Sequence, residues 1–359
     1  MMPHCRVTAG GTVTRMLRTK TTLIVGAGAS AELQFPTNSE LLARIIQGYD
    51  FKRTASDTST RDGQLLLRNI YKLAERMNKP VEDVAAAAER LRNACRLGRS
   101  IDTVLEQYDH DPLVLACGKL AVTFFIGQAE SRSSLRDAPR VPGELPLQGK
   151  IAECWIYQLG QLITSGVPRS RIGQTLEQVT IINFNYDRCV EHFLPYALVM
   201  AYGIDLKEAQ QVIAEKLQII HPHGMIGQLP WQQGDAPQTE WGVEQPWNIH
   251  AISGQLKSLN ERSQDRNALR EVRMAVAGAK RLAFLGFGFQ PQNVDLLFEN
   301  SLSHHPEVLV STYGMSPGNT ATVAQMIKRL AGLESDGLLM MSTGKAWEML
   351  RDFSLLLES

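Results

Sequence analysis

Paired cysteines are missing from this sequence. Its five cysteines, Cys5, Cys95, Cys117, Cys154 and Cys189, are scattered without a C-x-x-C pair, which argues against a zinc knuckle and a disulfide framework and fits a reducing, cytoplasmic setting. A surplus of charge is missing too. Lys plus Arg and Asp plus Glu number 37 each, so the chain lacks the positive field of a general nucleic-acid binder, and no direct nucleic-acid contact is expected. No run of roughly eighteen uncharged apolar residues points to a membrane span, and the chain reads as soluble. The first twenty residues carry Arg6, Arg15, Arg18 and Lys20 without an acid. They lack the apolar run of a secretory signal and read as a disordered leader, with a transit peptide as the other reading and Met16 as an alternative start.

What is present is a long, ordinary globular composition: 359 residues, 44% hydrophobic and 21% charged. A single core usually stops growing near about 250 to 300 residues, so the length suits one large α/β domain with an insertion, or two domains. Thr21 to Val25 is β-branched and apolar, and leads through Gly26-Ala27-Gly28-Ala29-Ser30 to helical spacing over 38–46 that ends at Gly48. This is strand, glycine turn, helix. Helical patterns over 81–97 and 114–130 predict a helical insertion spanning about 50–150, which ends in a Pro, Arg, Ser and Gly-rich loop over 131–149 and leads to a helix over 150–165. Ser100 and Asp102 read as the N-cap and first turn of another helix, and capping alone accounts for both.

Further apolar runs at 178–183, 217–221, 281–285 and 307–312 predict strands, with helices over 319–333 and 343–357. The segment 227–247 holds Trp231, Trp241 and Trp247 without a clear period and is expected as a long loop over the site, a candidate lid. Strands alternating with helices predict a Rossmann-like, doubly wound, mostly parallel sheet. Residues 21–359 then form one catalytic domain.

Four strand ends carry chemistry. Small residues at Gly26 to Ser30 let backbone amides approach a phosphate, although tight turns use the same residues without a ligand. No lysine follows as in a phosphate-binding P-loop, which counts against a kinase or ATPase. Asn183-Phe184-Asn185-Tyr186-Asp187 puts an amide and a carboxylate at the strand edge where open α/β sheets keep ligands; the alternative is a helix cap. His221-Pro222-His223-Gly224 offers a histidine able to take a proton at neutral pH, with Gly224 turning the chain. The histidine pair could suggest a metal, but no clustered Cys, Glu or further His accompanies it, and none is expected. Gly286-Phe287-Gly288 repeats the theme of small residues where a ribose or phosphate comes close; a plain turn fits equally.

Taken in order, G-A-G-A-S, N-F-N-Y-D, H-G and G-F-G resemble the sirtuin-like superfamily over about 21–293. Gly26, Ala27, Gly28 and Ser30 match its NAD-phosphate turn, Asn185 and Asp187 its nicotinamide-side strand end, and His223 with Gly224 its catalytic histidine. The S-I-D-x-x-L stretch at Ser100 and the final strand and helix are similar to the bacterial antiphage branch. The zinc module is absent, the lid motif is reduced to Gln34-Phe35-Pro36-Thr37 without its arginine, and Asn183 replaces a threonine. These departures weigh against protein deacylation.

The resemblance implies NAD+ as substrate, no metal, and cleavage to nicotinamide and ADP-ribose. Asn185 would position water and ribose, Asp187 would shape the carboxamide pocket, and His223 would relay a proton. Because unchecked NAD+ loss is toxic, control by a homo-oligomer or by a partner ATPase or argonaute-like defence protein is expected. An NAD or ADP-ribose sensor without chemistry and a Rossmann dehydrogenase are the competing readings.

Overall fold

The computed structural model describes residues 17, 19–51, 60–136, 151–333 and 338–358. Most of the expected leader, Cys5, Met16 and most of the loop expected over 131–149 lie outside the described residues.

Six strands form one all-parallel sheet: β1 (Thr21–Val25), β2 (Val179–Asn183), β3 (Gln218–Ile220), β4 (Arg281–Leu285), β5 (Glu307–Ser311) and β6 (Leu339–Ser342), in spatial order β3-β2-β1-β4-β5-β6. This is the Rossmann-like, doubly wound α/β arrangement that the alternation of patterns predicts. β1, β2 and β4 are buried at every residue, and they read as continuous apolar runs because each face of a parallel sheet carries its own layer. The two-residue period divides them. Leu23, Val25, Ile181, Ala283 and Leu285 enter one core, while Ile24, Ile182, Leu282 and Phe284 enter the other.

The insertion is helical as expected, with helices Arg61–Met77, Val81–Cys95, Ile101–Gln107 and Pro112–Arg132. Its buried Leu66, Val84, Leu91 and Phe124 share the core that holds Leu23 and Val25, so these helices are part of the main core. Helix Pro112–Arg132 is apolar on all sides. By length and composition it could cross a membrane, but 72% of its apolar window is buried in the fold, as befits a central core helix.

Strand order reverses between β1 and β4. Val25 pairs with Asn183 on one side and with Leu285 on the other, so three strands end at one level. Their C-terminal turns meet at the topological switch point, where such sheets hold ligands. Two features differ from expectation. Strand β6 was not legible in the sequence, and the terminal helical segment divides into Ala346–Asp352 and Ser354–Leu357.

Candidate active site

The turn after β1 is shaped by close backbone packing. A Cβ on Gly26 would stand 2.7 Å from the Gly286 carbonyl oxygen, and one on Gly286, whose φ is +56°, would stand 2.1 Å from the Ala29 nitrogen. The amides of Gly26, Gly28 and Ala29 donate to Leu285, Gly286 and Gly26 carbonyls at 3.0, 3.0 and 2.9 Å. These three amides are bonded within the fold, and the small residues interlock the β1 and β4 ends. Gly224 has a similar explanation. It sits at φ +76° with the Gln255 carbonyl oxygen 2.7 Å from where a Cβ would be, and it does not line the cleft. Gly288 has open space around it.

Gly26, Ala27 and Ser30 nevertheless border a narrow cleft, together with Asn185, Asp187, His223, Phe287 and Gly288. Gly28 and Gly286 line a second cavity across the turn, with Ser311, Tyr313 and Lys345. Ala29 is fully buried. Apart from Ala29 and Gly224, which line neither, the strand-end residues predicted as a site divide between two hollows flanking the β1–β4 junction.

Within the cleft, Ser30 joins the polar groups. Asn185 Nδ2 donates to Ser30 Oγ at 2.8 Å, and Ser30 Oγ donates to Asp187 Oδ2 at 2.7 Å. The other Asp187 oxygen accepts from the Cys189 amide at 3.2 Å, at the start of helix Cys189–Tyr202. The capping alternative for Asp187 thus accounts for one oxygen, and the site for the other. Phe184, Phe287 and Tyr186 wall the cleft, with Phe184 and Phe287 ring centres 5.1 Å apart.

His223 is 1% exposed, with Nε2 3.2 Å from Asn293 Oδ1 and Nδ1 3.4 Å from Asp102 Oδ1, where no hydrogen-bond geometry is met. Burial pushes its pKa down to about 4, against the pull of Asp102 and with the help of the Arg262 cation. The ring is therefore neutral at neutral pH, where the sequence suggested a histidine near its ordinary value. Burial also disfavours the Asp102 carboxylate, yet its surroundings outweigh that and hold its pKa low. The groups that do so are His223, Arg262, 3.8 Å away, and the Tyr186 hydroxyl, which donates at 2.6 Å.

Asp102 is the residue that sequence reasoning missed. Ser100 does cap helix Ile101–Gln107 by accepting from the Thr103 amide, as expected, but capping does not explain Asp102, whose carboxylate turns into the cleft. The available signal was the S-I-D stretch itself. Tyr186 and Asn293 were also unassigned.

The segment 227–247 is not a cover. Among the described residues, none of it lines the cleft. Arg188, buried in a bidentate pair with Glu130 at 2.5 and 3.0 Å, donates to the Thr239 carbonyl at 2.8 Å and to the Glu240 carbonyl at 3.2 Å. Trp241 stacks on His192 with ring centres 4.2 Å apart. This loop is anchored against the helices.

Neither protein-family models nor curated proteins match the chain.

Proposed function

We propose that this protein is an NAD+ glycohydrolase of sirtuin-like type, cleaving NAD+ to nicotinamide and ADP-ribose. The observation that carries the reading is the convergence of Ser30, Asn185, Asp187 and His223, from three strand ends, on one cleft beside the switch point. A second cavity lies across the glycine turn. Two hollows flanking a strand-order reversal suit the two halves of a dinucleotide.

The nicotinamide ring of the substrate is cationic and is a fair leaving group. The protein has to orient it, support positive charge developing on the ribose, and admit one water. The Asp187 carboxylate supplies negative charge, and Asn185, fixed through Ser30, orients ribose and water. Neutral His223 accepts a proton from a ribose hydroxyl or from water, and the resulting imidazolium is stabilised by Asp102 and Asn293. No metal is required.

In this reading the enzyme is a triggered cytoplasmic effector of antiphage defence. It acts by NAD+ depletion and is held in check by self-assembly or by an ATPase or argonaute-like partner. A second reading, a sensor that binds NAD+ or ADP-ribose without chemistry, draws on the burial of His223 and the mutual bonding of Ser30, Asn185 and Asp187. The test is nicotinamide release by the purified protein and by His223→Ala and Asn185→Ala. Release that disappears in both variants supports hydrolysis, whereas tight binding without release supports the sensor.

A further inference from the structure

His221 is a buried titratable group for which this mechanism has no use. Its side chain is 8% exposed, with Nε2 2.8 Å from Glu191 Oε1 and Nδ1 3.3 Å from the main-chain oxygen of Asn185. A carboxylate oxygen and a carbonyl oxygen only accept hydrogen bonds, and a neutral imidazole has a single N–H. Both contacts are made only if the ring carries both protons. Glu191 supplies the countercharge from helix Cys189–Tyr202, and among the described residues its second oxygen has no partner.

We propose that His221 is a positioning residue that, as an imidazolium paired with Glu191, clamps the backbone of Asn185 from behind and so sets the direction of the Asn185 amide in the cleft. The role rests on the glycohydrolase reading for its effect on rate, but the clamp itself does not. Asn185 sits on a turn after β2, not on a regular element, and its backbone N–H donates to its near neighbour Asn183, at Oδ1, over 3.1 Å. Its carbonyl is the other handle, and His221 holds it.

The charged groups around His221 agree with this assignment. Glu191 and Asp187 face it from the helix and from the β2 end, and both favour the cation. His223, two residues on along the same turn, is neutral at neutral pH. Lys207 and Glu215, from the helix Leu206–Lys216, line the surface groove into which His221 opens, and their charges oppose each other. Burial works against the cation, but the carboxylates win, and the His221 pKa lies above its ordinary value of 6.5.

Both bonds are present while the ring is protonated, and one is lost as the pH rises through the raised pKa, so nicotinamide release falls on the alkaline side. Glu191→Gln removes the countercharge and should move that fall toward lower pH by about 1 to 3 units. His221→Gln, whose amide donates without titrating, should abolish the alkaline fall and leave a lower rate that does not depend on pH there. A purely structural role for the pair predicts lost stability in these variants and an unmoved pH profile.

The direct readout is ¹⁵N NMR of the histidine rings, with the His221 signal assigned by its loss in His221→Gln. Two protonated ring nitrogens at pH 7 in the wild type, together with the shifted profile in Glu191→Gln, are expected. A single protonated nitrogen at pH 7, or a profile that Glu191→Gln leaves in place, would overturn the clamp. Because the NMR signature needs no turnover, a wild type that releases no nicotinamide overturns the hydrolase reading while the ring signal still decides the clamp.

Discussion

His223 carries the sharpest pH expectation. Its pKa is lowered to about 4, so the neutral, proton-accepting form is present above that value and is lost as the pH falls through it. The acid limb of kcat/KM, which reports the free enzyme, should therefore fall near 4, and a limb near 6.5 would show the ring to be more open to water than it is here. Removing a general base typically costs about 10²- to 10⁴-fold, the loss expected for His223→Ala. Asp102→Asn should slow turnover as well and push the acid limb lower still, because its carboxylate is what raises the histidine's proton affinity. Asn185, Asp187 and His223 were legible because each lies just past an apolar run. Asp102 was not, because a helix cap explained its type and position, and only the folding of the helix Ile101–Gln107 against the β2 and β3 ends reveals where its carboxylate goes.

The elements that hold the site make their own demands. Gly286 packs against the Gly28–Ala29 backbone, where an added Cβ would clash, so Gly286→Ala has no room, and its positive φ adds strain. Sharply lowered yield of folded protein, read by thermal unfolding, is expected; near wild-type stability would contradict the interlocked turn. The Arg188–Glu130 pair, with both side chains 1% exposed, joins the core helix Pro112–Arg132 to the 227–247 loop. Glu130→Gln should cost about 3 to 5 kcal/mol, the usual penalty for stranding a buried charge, and should expose that loop to limited proteolysis. Replacing both partners with apolar residues should recover part of the stability, and equal losses in single and double variants would argue against the pairing. Strands β1 to β5 were visible as apolar runs between turn signals. Edge strand β6 was hidden because its Leu-Met-Met-Ser residues are half-exposed and lack β-branched side chains, and the tryptophan-rich loop suggested a lid because its anchor, Arg188, lies far from it in sequence.

At the scale of the whole molecule, one sheet builds the site and sets its limits. The reversal of strand order at β1 and β4 brings chemistry from the β1, β2 and β3 ends to one side of the junction and opens the second hollow on the β5 and β6 side. The helical insertion supplies Asp102 from within the common core, so the site cannot be assembled by the sheet alone. Doubly wound topology was readable from the alternation of patterns; the sharing of one core between insertion and sheet was not, because periodicity identifies an apolar face without naming its partner. The most direct measurement is a product balance. The purified protein, over a range of concentrations that includes any self-assembled state, is incubated with NAD+, and the products are quantified by mass spectrometry beside His223→Ala. Nicotinamide and ADP-ribose in equal amounts, lost in the variant, are the expected result; intact NAD+ at every concentration, or accumulation of NADH, would contradict the glycohydrolase reading.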